Sequence, residues 1–146
     1  MNAVESYKLL IFSNDENHYA FHVEEIERVM RIVDVTPVAD APFSLLGVFN
    51  LHGKTLPVIS LRRLFSLNEK KIGLEDILLI SSLGKRSIAL LADAVLGVYD
   101  CKRDETSNAE ESFLGLVPKE IAQWGDTLIP VIDMEKMINA EIFKHV

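Results

Sequence analysis

Short apolar runs separated by polar turns set the pattern of most of this chain. Tyr7 to Ser13 and Ile77 to Ser82 are such runs, ended by Ser13-Asn-Asp-Glu-Asn17 and by the glycine-containing Ser82-Leu-Gly-Lys-Arg86, after which apolar residues resume. Each reads as a β-hairpin. Tyr19, Phe21 and Val23 alternate with Ala20, His22 and Glu24, which predicts a strand buried on one face, with His22 outward and His18 in the preceding turn. Val48 to Leu51, Gly53 and Leu56 to Ile59 read as strand, turn and strand, and Gly125 supplies a matching turn later. After each Pro-Val-Ile run the apolar period lengthens from two to about three and a half. Ser60 and Asp133 stand where helix N-caps are needed. Leu61, Leu64 and Phe65 then share one helical face, and Met134, Met137, Ile138 and Ile142 share another. Ser66 to Asp76 and Asp100 to Glu111 carry no sustained period and are predicted to be loops. The expectation is an all-β core with short helices.

The pattern occurs twice. Leu9-Leu10-Ile11 returns as Leu78-Leu79-Ile80, a shift of 69, and the same shift sets Phe21 on Leu90, Ile26 on Val95 and Val29 on Val98. A second pair, Gly53 to Phe65 and Gly125 to Ile138, keeps the same order along the chain, with Ile129 read as one inserted residue. The unit is therefore about half the chain, spanning about 7–65 and 76–138 of a single domain over 1–146. Its length suits a small barrel or sandwich, two copies of which would pack about an approximate twofold axis.

Composition narrows the chemistry. The 146 residues are 49% hydrophobic and 25% charged, which excludes a disordered chain. With 15 Lys and Arg against 22 Asp and Glu the net charge is -7, so no general basic field exists for nucleic acid or an anionic membrane. Cys101 has no intrachain partner for a disulfide, the N-terminus lacks the pattern of a secretory signal, and no apolar run nears the roughly 18 residues of a span, so a cytoplasmic chain without direct membrane insertion is expected. His18 and His22 share a face but lack a third ligand and the His-Glu-x-x-His pattern. Cys101 has basic neighbours, Lys102 and Arg103, yet no histidine placed to activate it. Glu24, Glu25 and Glu27 read as a solvated face, Glu110-Glu111 as loop, and Arg62-Arg63 as the exposed side of the first helix. Phosphate-binding glycine motifs and the Gly-x-Ser-x-Gly elbow do not occur. The expectation is a binding protein with no catalytic residues, no cofactor and no metal.

Four segments then carry a family resemblance. His18-Tyr-Ala-Phe-His-Val-Glu-Glu-Ile-Glu-Arg-Val29, Leu46-Gly-Val-Phe-Asn-Leu-His-Gly53, Leu56-Pro-Val-Ile-Ser-Leu-Arg62 and Ile88-Ala-Leu-Leu-Ala-Asp-Ala-Val-Leu-Gly-Val98, taken in order with Ala41-Pro42, resemble CheW, the adaptor of chemosensory arrays. The resemblance runs from Tyr7 to about Ile138. It implies a duplicated pair of five-stranded SH3-like barrels with a hydrophobic groove between them. It also implies no enzymatic activity. The implied partners are the regulatory domain of a CheA-type histidine kinase and the cytoplasmic tips of methyl-accepting chemoreceptors, in arrays at the membrane, with no nucleic acid involved. Carried onto this sequence, the partner-binding positions are Ile26, Arg28, Val29 and His52 in the first copy and Val95 and Val98 in the second. Three residues depart from the family pattern. His52 replaces the arginine of Asn-Leu-Arg-Gly, Arg28 the glutamate of Val-x-Glu-Val, and Ser60 the aspartate of Pro-Val-Ile-Asp-Leu. The first two exchange an acid and a base for two basic groups and predict a preference for a more acidic partner. Two other readings stay open: a divergent adaptor for a pilus, surface-motility or gene-regulatory pathway, and a metal-dependent sensor or enzyme built on His18, His22 and the acidic cluster.

Overall fold

The computed structural model describes residues 6–83, 85–104 and 118–142. β1 (Ser6–Asn14) and β2 (Asn17–His22) form a hairpin, and a single 3-10 turn at Val23–Glu25 leads into β3 (Ile26–Arg31). β4 (Leu45–Leu51) and β5 (Lys54–Ser60) form a second hairpin followed by the one-turn helix α1 (Leu61–Leu64). The later elements are β6 (Ile77–Leu83), β7 (Arg86–Ala92), β8 (Ala94–Arg103), β9 (Pro118–Trp124), β10 (Thr127–Ile132) and α2 (Met134–Ile142). Both N-caps form as expected: Ser60 Oγ accepts from the Arg63 amide at 3.2 Å and Asp133 Oδ1 from the Lys136 amide at 3.0 Å. No regular element lies between Phe65 and Asp76. The second predicted loop begins later than its polarity suggested. β8 continues through Asp100 to Arg103 because β1 supplies a pairing partner, with Lys8 opposite Asp100 and Tyr7 opposite Cys101. The rest of that stretch, including Glu110-Glu111, lies outside the described residues.

The strands make a closed barrel in the order β1-β2-β10-β9-β8 and a five-stranded sheet in the order β3-β6-β7-β5-β4. A bridge between Thr36 and Val48, with amide-to-carbonyl distances of 2.8 and 2.9 Å, ties the chain leaving β3 to β4. Gly47 makes that approach possible, since a Cβ there would stand 2.2 Å from the Thr36 carbonyl oxygen. The expectation of one barrel per half is therefore corrected. The barrel takes its first hairpin from the early half and β8, β9 and β10 from the late half, while the second sheet takes β3, β4 and β5 from the early half and β6 and β7 from the late one.

The ladders repeat in register. Leu10 pairs Phe21 and Val98, as Leu79 pairs Leu90 and Val29, a shift of 69 (Leu10 to Leu79). Phe49 pairs Leu56 as Ala122 pairs Ile129, a shift of 73 (Phe49 to Ala122). Ile129 is thus the counterpart of buried Leu56 and no insertion exists. Exposed Leu128 answers exposed Thr55 instead, because alternation of faces fixes register more firmly than residue identity at a turn. Even the irregularities recur: the ladder slips between Ile26 and Arg28 as between Val95 and Gly97, and between Leu45 and Gly47 as between Pro118 and Glu120.

Three apolar clusters hold this together. The largest lies between the two units and contains Leu10, Phe12, Tyr19 and Phe21 from one side, Ile59, Leu61, Leu79 and Leu90 from the other, with Met134 and Ile138 of α2. Phe12 stacks on Phe21 at 5.0 Å and on Tyr19 at 5.5 Å between ring centroids. A second cluster fills the barrel with Leu9, Ile11, Ala20, Ile129 and Val131, and a third lines the second sheet with Leu56, Val58, Leu78, Ile80 and Ala89. β2 is therefore buried on both faces: Tyr19 and Phe21 enter the shared core while Ala20, fully buried, enters the barrel. The one-sided reading missed this because a small alanine on a barrel interior looks like a neutral spacer.

Candidate functional site

The irregularity in β3 positions the first side chain of interest. With Ile26 opposite Ser81 and Arg28 opposite Ile80, one extra residue, Glu27, bulges out and re-aims the strand. Across the sheet, the β4–β5 turn holds His52 at φ 51 and Gly53 at φ 86, and Asn50 Oδ1 accepts from the Gly53 amide at 3.0 Å. Arg28 and His52 thereby meet, Nη1 to Nε2 at 3.2 Å, both exposed. A guanidinium only donates, so the His52 Nε2 accepts. Beneath them is a cavity of about 280 Å³ lined by Leu51, Leu56 and Ile80, with Lys54 at its edge. Glu27 also borders it and accepts a hydrogen bond from Ser82 Oγ.

The other expected partner-binding residues divide into two pairs. Ile26 and Val95 are half-buried against the shared core, so each has a packing role already. Val29 and Val98 are 43% and 48% exposed, one on β3 of the second sheet and one on β8 of the barrel. Sequence reasoning missed Leu51, Lys54, Leu56 and Ile80 as surroundings of the Arg28–His52 contact. Reading Ile129 as an insertion hid the comparison by which Leu51 answers Trp124.

The residues weighed for chemistry are held in structural pairings. His22 does not point outward: its ring is largely buried, Nε2 lies 2.7 Å from Glu120 Oε1, and Glu120 Oε2 accepts from Arg103 Nε at 2.7 Å. The Tyr7 ring meets His22 edge-on at 5.1 Å, and its phenol is pushed up from 10.0 to about 12, first by burial and then by the Glu120 charge. His18 belongs to β2, not to the turn, and meets the Trp124 ring at 5.8 Å. Cys101 is buried and its thiol is pushed up by desolvation and then by Asp100, against the thiolate that Lys102 and Arg103 suggested. Arg62 is no exposed helix residue. It reaches Asp15 at 2.8 Å and Asp93 at 2.9 Å, and the Asp15 hydrogen bond leads the causes that hold its charge on. Arg63 donates to the Phe43 carbonyl at 2.8 Å, pairs with Glu69 at 2.8 Å and lies over the Phe43 ring. Among the described residues no group of three or more His, Cys, Asp or Glu side chains is arranged to hold a metal ion.

What these surfaces resemble in known proteins is consistent along the chain. A family model described as CheW-like domain matches residues 8–141. The chemotaxis protein CheW of Thermotoga maritima is 28% identical over 139 residues, covering 94% of this chain and 91% of the relative. The chemotaxis protein CheW of Klebsiella aerogenes is 23% identical over 137 residues, covering 92% and 82%. The crystal structure of the scaffolding protein TtCheW from Thermoanaerobacter tengcongensis superposes with a TM-score of 0.80 at 25% identity, covering 92% of this chain and 93% of that one.

Proposed function

Because the chain belongs to the CheW-like domain family, it is an adaptor of the CheW type, and we propose that it couples the cytoplasmic tips of chemoreceptors to the regulatory domain of a CheA-type histidine kinase while catalysing no reaction itself. The observation that carries this reading is the extent of the likeness: about nine-tenths of both chains is shared with a scaffolding protein of known structure, not a fragment of one. The two five-stranded units are read as a pair of SH3-like barrels, from a repeat over about 7–65 and 76–138 whose leading hairpins have changed places. The shared ladder offsets and shared bulges support that reading. No helix among the described residues is long and apolar enough to cross a membrane; in this reading the receptors bring the chain to cytoplasmic arrays.

Within this reading Ile26, Arg28, Val29 and His52 form the partner surface of the second sheet and Val95 and Val98 that of the barrel. The Arg28–His52 contact sits where the family carries a glutamate and an arginine, so the site here keeps a cation, Arg28, and lacks the acid that would balance it. It therefore favours a more acidic partner than a conventional adaptor does. The test is a titration of four proteins, the unmodified chain, Arg28→Glu, His52→Arg and the double variant, against one conventional kinase regulatory domain. The double change is expected to restore more binding than the single changes add up to, with a coupling of about 1.5 kcal/mol. Strict additivity, or tight binding by the unmodified chain, removes these positions as determinants of partner choice. A pull-down from native extract that recovers an unrelated enzyme and neither kinase nor receptor overturns the adaptor coupling itself.

A further inference from the structure

The two units end differently at corresponding places. The shift of 69 sets Arg28 against Gly97, Met30 against Tyr99 and Ser87 against His18, and the shift of 73 sets Leu51 against Trp124 and His52 against Gly125. In the barrel this end is plugged. Trp124 packs on the barrel's interior cluster with its ring 5.1 Å from Tyr99 and 5.8 Å from His18. Tyr99 folds over Gly97, its ring 3.4 Å from the place a Cβ would take. In the second sheet the three rings are replaced by Leu51, Met30 and Ser87, and the cavity of about 280 Å³ lies there. Its floor is conserved in kind, since Ile80 and Leu56 answer Ile11 and Ile129. Its rim carries Arg28, His52 and Lys54, with the single acid Glu27 already engaged by Ser82, on a chain whose net charge is -7.

We propose that this mouth is a socket for one aromatic side chain of a partner protein that carries a carboxylate beside the ring. The barrel displays the kind of ring that such a floor accepts, and the basic rim supplies the complement to the acid. The volume is below the roughly 300–1,000 Å³ of a small-molecule site and suits a single side chain. The proposal rests on the adaptor reading and names the chemistry of the partner at one of its surfaces.

Indole-3-acetate is the probe, with indole and acetate as controls, titrated into the isotope-labelled full chain while amide resonances are followed. Saturable shifts are expected at Leu51, His52, Leu56 and Ile80. Leu51→Trp, which installs the barrel's own plug, is expected to weaken the probe at least tenfold, and Ser87→His provides a second filling variant should the first fold poorly. Arg28→Gln is expected to weaken indole-3-acetate severalfold and leave indole unchanged. Shifts confined to other surfaces, no saturation, or indifference to both filling variants overturns the socket. So does movement of the mouth resonances on dilution of the free chain, which assigns the mouth to a second copy. Probe binding without kinase or receptor binding counts against the adaptor reading alone, and the reverse result counts against the socket alone.

Discussion

An indole closes one end of the barrel, whereas the matching end of the second sheet holds a leucine, a pair of touching basic side chains and open space. The hairpin ladders, the bulges and the apolar floor recur in both, but β8 pairs with β9 to close the barrel where β3 and β4 have only the Thr36–Val48 bridge between them. Strand closure and side-chain size both set the two ends apart. Where Trp124 packs on Tyr99 and on His18, surface that is removed from water adds to stability. Where Leu51 and Ser87 border unfilled space, that contribution is absent and the surface remains available to something else. One scaffold used twice has thus separated a stabilising end from a recognising end.

The comparison requires that the shared core be equally important on both sides, and the largest expected effect tests that. Phe21→Ala and Leu90→Ala remove counterparts that are both fully buried, and chemical denaturation should show losses of about 4 and about 3 kcal/mol. A loss under about 1 kcal/mol at either position would break the equivalence. The mouths themselves should differ. Trp124→Ala is expected to cost about 3 kcal/mol and Leu51→Ala about 1, since the leucine already borders a void; equal losses would mean that the barrel's plug does not bear on stability. Gly47→Ala sharpens the comparison at the other end of the second sheet. Its Cβ would press on the Thr36 carbonyl, and a loss of about 2 kcal/mol with faster exchange of the Thr36 and Val48 amides is expected.

The smallest effect is specific to the barrel. Tyr7 ionises at about 12 when folded and at 10.0 in the ordinary case, so the fold favours the neutral phenol. The stability this gives is complete below pH 10 and is lost as pH rises through 12. Alkaline titration followed by tyrosinate absorbance should show the Tyr7 phenol ionising late, beside that of Tyr19, which burial also pushes up, and Tyr7→Phe should remove part of the late absorbance and lessen the accompanying fall in melting temperature. Asp76 occupies the corresponding place in the second sheet, so no matching alkaline step arises there.

Local features of this fold are legible in the sequence and distant ones are not. The hairpins, the left-handed turn at Gly53 and the caps at Ser60 and Asp133 depend on residues a few positions apart, so alternation and turn chemistry identify them. The exchange of hairpins between halves depends on which strands meet across ninety or so positions, such as Leu10 with Val98, and both arrangements bury the same residues. Arg62 looked like solvent-facing charge because nothing near it in sequence announces Asp15 and Asp93. The contact of Arg28 with His52 was legible only as two departures from a family pattern. Their adjacency comes from a bulge in β3 and a turn between β4 and β5.

The exchanged hairpin also sets a timetable for synthesis. The β1–β2 hairpin leaves the ribosome well before the strands that satisfy its edges, since in β8 and β10 the partners Val98 and Val131 are translated about ninety to a hundred and ten residues after Leu10 and Ala20. Until then Leu9, Ile11, Phe12, Tyr19 and Phe21 have neither the barrel nor the completed shared core to bury them. A nascent chain halted before β8 therefore presents a two-faced apolar hairpin with open edges, the kind of surface that chaperones hold and that aggregates capture. Completion of the late half, and not of the first seventy residues, is the step at which this chain becomes safe to release.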